Sequence, residues 1–248
     1  MTKKRIAVIG CVGKMGQTLC KYLSDHKDFS LDACVDITRV GEDIGEVIGL
    51  GKTGIIIEND IKSILADIDM AVDFTTPASV VSNAIICLQQ KVPVLIGTTG
   101  ISAEDSQKLD KLARENDTSV MIVPNFAIGA ILMMDFAKKA ARYMKAAEII
   151  EQHHPQKLDK PSGTALKTRL GMIEELRNAN VQVNEDSVPI HSVRLPGLVA
   201  HQTVIFGDVG QTLTIRHDSL SRDSFMPGIA LALNRLTTFK GLKIGLDL

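Results

Sequence analysis

The chain has no tryptophan, and aromatic residues make up only 4% of its 248 residues. It also lacks an excess of either charge, because 28 Lys and Arg face 29 Asp and Glu for a formal charge of -1. A nucleic-acid or membrane-surface protein usually carries a basic patch, so this balance argues against both kinds of partner. The apolar run near the start, IAVIG, is too short to cross a bilayer, and no signal peptide is recognisable there. We therefore expect a cytoplasmic protein.

Cysteine is scarce and irregularly placed. The chain has 4 cysteines, and all lie in its first ninety residues without CxxC spacing: Cys11, Cys20, Cys34 and Cys87. This pattern favours buried, reduced thiols over a disulfide framework or a zinc site. Since no HExxH pattern is present either, we predict no bound metal.

Short β-branched runs alternate with longer amphipathic stretches in the first half of the chain. That alternation predicts an α/β fold, with a doubly wound parallel sheet covered by helices. The predicted strands are Arg5–Ile9, Leu31–Asp36, Gly54–Glu58, Met70–Phe74, Val92–Gly97 and Val120–Val123. The predicted helices between them are Met15–Asp28, Ile61–Asp67, Ser79–Gln90 and Ala103–Asn116.

The pattern changes after Asn125, where strands and helices no longer alternate regularly. The further helices predicted here are Gly129–Lys145, one that follows Ser162, and Ser224–Thr237 before a short tail. The further strands are Glu148–Gln152, Pro189–Leu195, Thr203–Phe206 and Thr212–His217, the last two joined by a turn at Gly207–Gly210 that favours antiparallel pairing.

A glycine-rich turn follows the first predicted strand, and it reads Gly10-Cys-Val-Gly13-Lys14-Met15-Gly16. In a dinucleotide-binding turn, the first glycine permits the tight exit from the strand and the second lets the backbone approach a pyrophosphate. The third allows close packing of helix on strand, and the helix N-terminus supplies N–H donors. Glycines also occur in such turns for steric reasons alone, but Asp36 follows Gly16 by twenty residues, where a carboxylate can bind an adenosine ribose.

The same residues bear on the choice of cofactor. The carboxylate of Asp36 would repel a 2′-phosphate, which favours NADH, whereas Arg39 three residues later could attract one, so NADPH stays open. Two further loops end predicted strands and would lie near the nicotinamide: Gly97-Thr98-Thr99 and Pro124-Asn125-Phe126. Ordinary turn chemistry explains each of these loops about equally well when it is taken alone.

The densest group of reactive side chains lies between 151 and 165. His153 and His154 are adjacent, and Lys157 follows them before a predicted helix start. Imidazoles titrate near neutral pH, so proton transfer is their natural chemistry, with Lys157 as a second proton donor or as an anchor for a carboxylate.

The predicted helix start that follows is suited to an anion. Ser162 can cap the helix, and Gly163 and Thr164 then expose backbone N–H groups in the first turn. These groups would bind a substrate carboxylate. The alternative is a simple helix cap, which needs the serine but not the histidines and lysine before it.

Together these residues resemble the dihydrodipicolinate reductase (4-hydroxy-tetrahydrodipicolinate reductase) family. Its signature ExHHxxKxDAPSGTA is matched by EQHHPQKLDKPSGTA from Glu151 to Ala165, and the glycine turn, the GTTG loop and an Asn-Phe loop also match. Lys160 replaces the usual alanine, and Ala127 replaces a serine, which removes one possible hydroxyl contact near the cofactor.

The resemblance implies that NAD(P)H reduces a cyclic unsaturated dicarboxylate to tetrahydrodipicolinate in lysine and diaminopimelate biosynthesis. It implies that His153 is the proton donor, that Lys157 is a second donor, and that His154, Gly163 and Thr164 bind substrate. It also implies a Rossmann domain (1–126 and 221–248) and a substrate domain (127–220) whose mixed sheet builds a homotetramer. Arg194 and His201 match the family pattern and could brace the pocket.

Two other functions stay open at this point. Another two-domain dehydrogenase, acting on a sugar or a semialdehyde, would share the first domain but would not explain the 151–165 segment. A non-catalytic, NADH-sensing regulator would need a partner or DNA surface, which the balanced charge does not indicate.

Overall fold

A computed structural model describes residues 2–248, apart from the side chain of Glu185. The chain divides into two compact units. The first contains residues 2–126 together with Met226–Asp247, and the second contains Ala127–Phe225 and Leu248. No helix within residues 2–248 is long and apolar enough to cross a membrane.

The first unit contains a parallel sheet whose central strands are mostly apolar and buried. Within the described residues its seven strands are β1 (Lys4–Ile9), β2 (Phe29–Val35), β3 (Ile57–Glu58), β4 (Met70–Asp73), β5 (Val94–Ile96), β6 (Ser119–Ile122) and, near the end of the chain, β11 (Gly241–Ile244). They lie in the order β11-β6-β5-β4-β1-β2-β3. Because helices cover both faces of such a sheet, its central strands contain buried apolar runs such as Ile6–Ile9 and Val94–Ile96.

The helices of this unit are α1 (Lys14–Ser24), α2 (Ile44–Ile48), α3 (Ile61–Ile64), α4 (Val80–Gln89), α5 (Ala103–Glu115) and α8 (Met226–Leu236). Cys87 of α4 and Leu109 of α5 pack against Val94 of β5 in one buried cluster. All four cysteines are buried and none forms a disulfide, as the sequence predicts. Burial raises the pKa of the Cys87 thiol to about 12, so this group is unreactive at neutral pH.

The end of the chain adds to the sequence analysis, which placed only a short tail after the last helix and predicted no strand there. Gly241–Ile244 instead forms β11, which pairs in parallel with β6 from Gly241↔Ser119 to Ile244↔Ile122. The backbone N–H of Leu242 also donates to Asp110 Oδ1 of α5 at 2.7 Å. This strand forms because the edge of β6 is open to pairing. A run of four residues is too short for its hydrophobic periodicity to predict a strand.

The second unit is a mixed sheet with two helices. Its elements are α6 (Ile128–Ala141), β7 (Ala146–His153), α7 (Gly163–Asn178), β8 (Ile190–Arg194), β9 (Ala200–Asp208) and β10 (Gln211–Ser219). The strand order is β10-β9-β7-β8, with β8 parallel to β7 and the other neighbours antiparallel. The predicted fold class is thus confirmed, a Rossmann-type parallel sheet with a smaller α+β unit.

One face of this second sheet is buried and the other is open. Ala147, Ile149 and Glu151 of β7 are buried, whereas Glu148 and Ile150 between them are more accessible. The buried face packs against the two helices, as alternation along an antiparallel pair requires. His153, the last residue of β7, therefore lies at the edge of the packed core of this unit.

Candidate active site

The glycine turn of the first unit has the geometry that a dinucleotide needs. Gly10 leaves β1 with a φ of 82°, and a Cβ there would come within 2.8 Å of the Phe74 carbonyl oxygen. A Cβ on Gly16 would collide with the carbonyl oxygen of Gly10, so both positions require glycine. Gly13 is the N-cap of α1 and has no side chain to bond the N–H groups of Lys14 and Met15. A helix N-terminus left open in this way fits a pyrophosphate.

Asp36 is fixed against that turn. Its Oδ2 accepts a hydrogen bond from the Val12 N–H at 2.9 Å, and its Oδ1 accepts from the N–H and the hydroxyl of Thr38 at 3.0 and 2.9 Å. The guanidinium of Arg39 is paired with Glu42, with Nη2 to Oε2 at 2.7 Å. The carboxylate is therefore held at the end of β2 beside the glycine turn, while the nearby cation is already neutralised.

The two loops predicted near the nicotinamide follow adjacent parallel strands, β5 and β6. Thr99 and Pro124 are exposed, but Thr98 and Phe126 are buried in the protein. The ring of Phe126 packs edge-on against Phe74, with centroids 5.9 Å apart. Thr98 and Phe126 thus support these loops from the protein interior, while Thr99 and Pro124 lie on their exposed side.

Asp73, which the sequence analysis placed only within the predicted strand Met70–Phe74, connects two loops of this region. It is fully buried at the end of β4, and its carboxylate accepts hydrogen bonds from Thr75 N at 2.8 Å and Asn83 Nδ2 at 2.9 Å. The Thr98 hydroxyl also donates to it, at 3.4 Å. Burial raises the pKa of Asp73, and its contacts connect the loop after β4 to the loop after β5.

In the second unit, His153 is held by a fully buried carboxylate. Its Nδ1 lies 2.6 Å from Glu151 Oε2, and 13% of its side chain is exposed. An ionised carboxylate only accepts hydrogen bonds, so Nδ1 carries a proton and Nε2 is left to exchange one with a ligand. Burial lowers the pKa of His153, and the hydrogen bond that His153 donates to Glu151 partly opposes this effect.

Arg194 forms a buried ion pair with Glu151. Its Nη1 and Nη2 donate to the two carboxylate oxygens of Glu151 at 2.8 and 2.9 Å. Burial by itself would raise the pKa of Glu151, but the hydrogen bonds from Arg194 and its other partners outweigh it and lower that pKa to about 2. The same guanidinium donates to the carbonyl oxygens of Asp159 at 2.7 Å and Lys157 at 3.4 Å.

The segment after β7 carries the remaining predicted groups. Lys157 Nζ lies 2.8 Å from Asp159 Oδ1, and the pKa of Asp159 is lowered mainly by this hydrogen bond. His154 is exposed and its Nδ1 lies 3.1 Å from Gln156 Oε1. His154 therefore lies apart from the Glu151 network, whereas His153 and the backbone around Lys157 belong to it.

The helix start also belongs to this network. Ser162 accepts from Ala165 N at 3.2 Å, which confirms the predicted N-cap, and its own N–H donates to Glu151 Oε1 at 3.2 Å. Gly163 is exposed, and a Cβ there would meet none of the described atoms within 4 Å beyond its own neighbours. Thr164 follows it in the first turn of α7. The Gly163 N–H already bonds the carboxylate of Asp159, so an anion entering the first turn of α7 would take the place of that side chain.

The sequence analysis gave no role to Glu151 and no certain one to Arg194. The two residues are 43 positions apart, and only the parallel pairing of β7 with β8, which sets His153 opposite Arg194, brings them together. The signal available in the sequence was the spacing: Glu151 lies two residues before His153, so both side chains lie on the same face of a strand. His201 is anchored elsewhere in the unit, with Nδ1 2.6 Å from Asp218 Oδ1.

Comparison with known proteins decides the family. Residues 4–126 match the family model described as dihydrodipicolinate reductase, N-terminus, and residues 129–246 match the model for its C-terminus. The chain belongs to the dihydrodipicolinate reductase family. It is 46% identical over 266 residues to a 4-hydroxy-tetrahydrodipicolinate reductase of Desulfitobacterium hafniense, covering 100% of this chain and 98% of that one.

Other relatives agree. A 4-hydroxy-tetrahydrodipicolinate reductase of Moorella thermoacetica is 44% identical over 257 residues, covering 98% of this chain and 96% of that one. The solved structure of a dipicolinate-bound dihydrodipicolinate reductase from Paenisporosarcina sp. TG-14 is 39% identical with a TM-score of 0.83, covering 99% of this chain and 98% of that one. The resemblance of the 151–165 segment is confirmed, and so is the prediction of an NAD(P)H-dependent oxidoreductase. Among residues 2–248, no group of three or more His, Cys, Asp or Glu is placed to hold a metal ion.

Proposed function

We propose that the cluster around His153 carries out the reduction for which this family is named. The chain is an NAD(P)H-dependent reductase that converts 4-hydroxy-tetrahydrodipicolinate to tetrahydrodipicolinate in lysine and diaminopimelate biosynthesis. The residues that perform each step are our proposal. The observation that carries it is the bond between His153 and the buried carboxylate of Glu151, which leaves one imidazole nitrogen available for proton transfer.

The first unit is the proposed dinucleotide domain. Its glycine turn fits the pyrophosphate, and the adjoining loops support the rest of the cofactor with backbone groups. When bound, NAD(P)H supplies the hydride. We propose a preference for NADH, because Asp36 places a carboxylate beside the turn and Glu42 neutralises Arg39. A 2′-phosphate would meet that carboxylate without a free cation to compensate for it.

The second unit is the proposed substrate domain. The dipicolinate bound to the Paenisporosarcina relative is a small dicarboxylate. The first turn of α7 suits one such carboxylate, which would displace Asp159 from the Gly163 N–H and bind at Gly163 and Thr164. Lys157 suits a second one, on leaving Asp159. Protonation by His153, with Lys157 as second donor, offsets the negative charge that hydride addition leaves on the substrate. His154 would join the substrate site only after turning from its present exposed position.

We also propose that four copies assemble through the second sheet. The face of that sheet turned away from α6 and α7 carries half-buried Ile150, Thr203 and Ile205. Apolar and β-branched side chains on one open sheet face are suited to packing against another sheet. Analytical ultracentrifugation should give a particle four times the mass of the 26.9 kDa chain, and a monomer at micromolar concentration would contradict this assembly.

The decisive experiment follows NADH absorbance with freshly prepared substrate. We expect His153→Ala to lower kcat by roughly 100-fold or more, since a positioned proton donor contributes about that much. The Kd for NADH, measured by calorimetry, should stay within about twofold. His26→Gln in the first unit is the control, because His26 packs beside Tyr22 and Phe29 and lies outside the proposed chemistry. Unchanged turnover in His153→Ala, or an equal loss of turnover and NADH affinity, would contradict the proposed role.

A further inference from the structure

A single buried carboxylate in the second unit connects the proposed proton donor, the Arg194 guanidinium and the start of α7. Glu151 is fully buried and accepts hydrogen bonds from the imidazole of His153, from both terminal nitrogens of Arg194 and from the N–H of Ser162. A fully desolvated charge is costly unless its oxygens are saturated with donors. In the second unit this buried charge lies where the proposed proton donor and the start of α7 meet.

Arg194 extends the network to the lysine segment. Besides Glu151, its guanidinium donates to the backbone carbonyl oxygens of Lys157 and Asp159. A planar guanidinium offers five donors in a fixed fork, so it can hold a carboxylate and a turn of backbone at once. The orientation of His153 and the position of Lys157 are therefore fixed by one cation.

We propose that Glu151 and Arg194 are positioning residues of the reductase: Glu151 fixes the tautomer and orientation of His153, and Arg194 couples that orientation to the backbone that carries Lys157. The inference rests on the proposed role of His153 as proton donor and adds to it a device that neither the family name nor the signature spacing reveals. In this device a carboxylate orients an imidazole, as in triads where an acid holds a histidine by Nδ1.

The charges around His153 give the device a measurable signature. Glu151 faces the imidazole from β7, Arg194 faces it from β8, and Lys157 and its partner Asp159 lie on the following segment. Of these, Glu151 raises the pKa of His153, while Arg194 and Lys157 lower it. Removal of the Glu151 charge must therefore lower the pKa of His153.

The test is the pH profile of kcat. A proton donor must be protonated, so activity declines as pH rises through its pKa. In Glu151→Gln this alkaline limb should move to lower pH by about 1 pH unit or more, and kcat at neutral pH should fall roughly 10-fold or more because the imidazole is no longer held. Arg142→Lys is the matched control, since Arg142 forms the same kind of bidentate pair with Glu175 between α6 and α7, at 2.7 and 3.0 Å, but on the surface.

Arg194→Lys separates the two halves of the proposal. It keeps a cation beside Glu151 but loses the planar guanidinium with its two parallel donors. The alkaline limb of the pH profile should therefore move less than in Glu151→Gln. The substrate KM should rise roughly 5-fold or more, because the segment carrying Lys157 loses its anchor. A wild-type KM in a folded Arg194→Lys variant would overturn the coupling to Lys157.

Two outcomes keep this proposal distinct from the role of His153 itself. If His153→Ala abolishes turnover while Glu151→Gln keeps the wild-type limb and kcat, the positioning role is overturned and the donor role stands. If His153→Ala is fully active, the donor role of His153 is overturned, and the positioning proposal that rests on it is overturned as well. Should Glu151→Gln not fold, the double variant Glu151→Gln/Arg194→Met removes both buried charges. Because Glu151 raises the pKa of His153 more than Arg194 lowers it, the alkaline limb should still move to lower pH, but by less than in Glu151→Gln; an unmoved limb would overturn the positioning role.

Discussion

Removal of the Arg194 guanidinium should destabilise the protein far more than removal of a comparable surface arginine. Arg194→Met leaves the carboxylate of Glu151 fully buried without its main partner. The interactions in the folded protein lower the pKa of Glu151 from 4.5 to about 2. A difference of roughly 2.5 between the two values corresponds to about 3 kcal/mol, in line with the roughly 3–5 kcal/mol that breaking a buried ion pair costs.

The assay is thermal unfolding followed by circular dichroism at pH 7. For a chain of this size, about 3 kcal/mol corresponds to a fall in Tm of roughly 6 to 12 °C. Arg142→Met is the control, because Arg142 and Glu175 form an exposed pair between α6 and α7. Since exposed pairs contribute little to stability, its Tm should change far less.

The same reasoning predicts how the Tm difference depends on pH. Because the pKa of Glu151 is lowered in the folded protein, its stabilising contribution is complete above about pH 4.5 and is lost as pH falls towards 2. The Tm difference between wild type and Arg194→Met should therefore shrink between pH 5 and pH 3. A difference equal to that of Arg142→Met at pH 7, or one that stays constant down to pH 3, would refute the reasoning.

Two further predictions address the ligand sites. Gly163→Val should raise the substrate KM roughly 10-fold and spare NADH affinity, because its side chain would enter the open space over the α7 N-terminus; an unchanged KM would remove the anion site. Glu42→Gln should shift the KM ratio towards NADPH by roughly 3- to 10-fold at low salt, since it frees the Arg39 guanidinium. Glu115→Gln, in an exposed pair with Lys111 on α5, is its control, and an equal effect of both variants would contradict a specific role for Arg39.

Much of this architecture is visible in the sequence because it depends on neighbouring residues. The glycine turn after β1, the serine cap of α7 and the antiparallel pairing of β9 with β10 each follow from a few consecutive side chains. Two short elements, helix α2 and strand β11, escape such reasoning. Helix α2 has five residues and would be marginal alone; it is stabilised by Asp43, which accepts from Gly45 N and Thr53 N at 2.8 and 3.1 Å.

The sequence by itself determined the chemistry available to this protein. It places two histidines, a lysine and a helix cap within fifteen residues, and it places a carboxylate at the end of the second strand. The tertiary structure decided which of these groups act together. Strand pairing brings Arg194 to Glu151 across 43 positions, sets His153 in that network and leaves His154 exposed. The physical reason is that burial of a charge requires partners, and partners distant in sequence are supplied only by the fold.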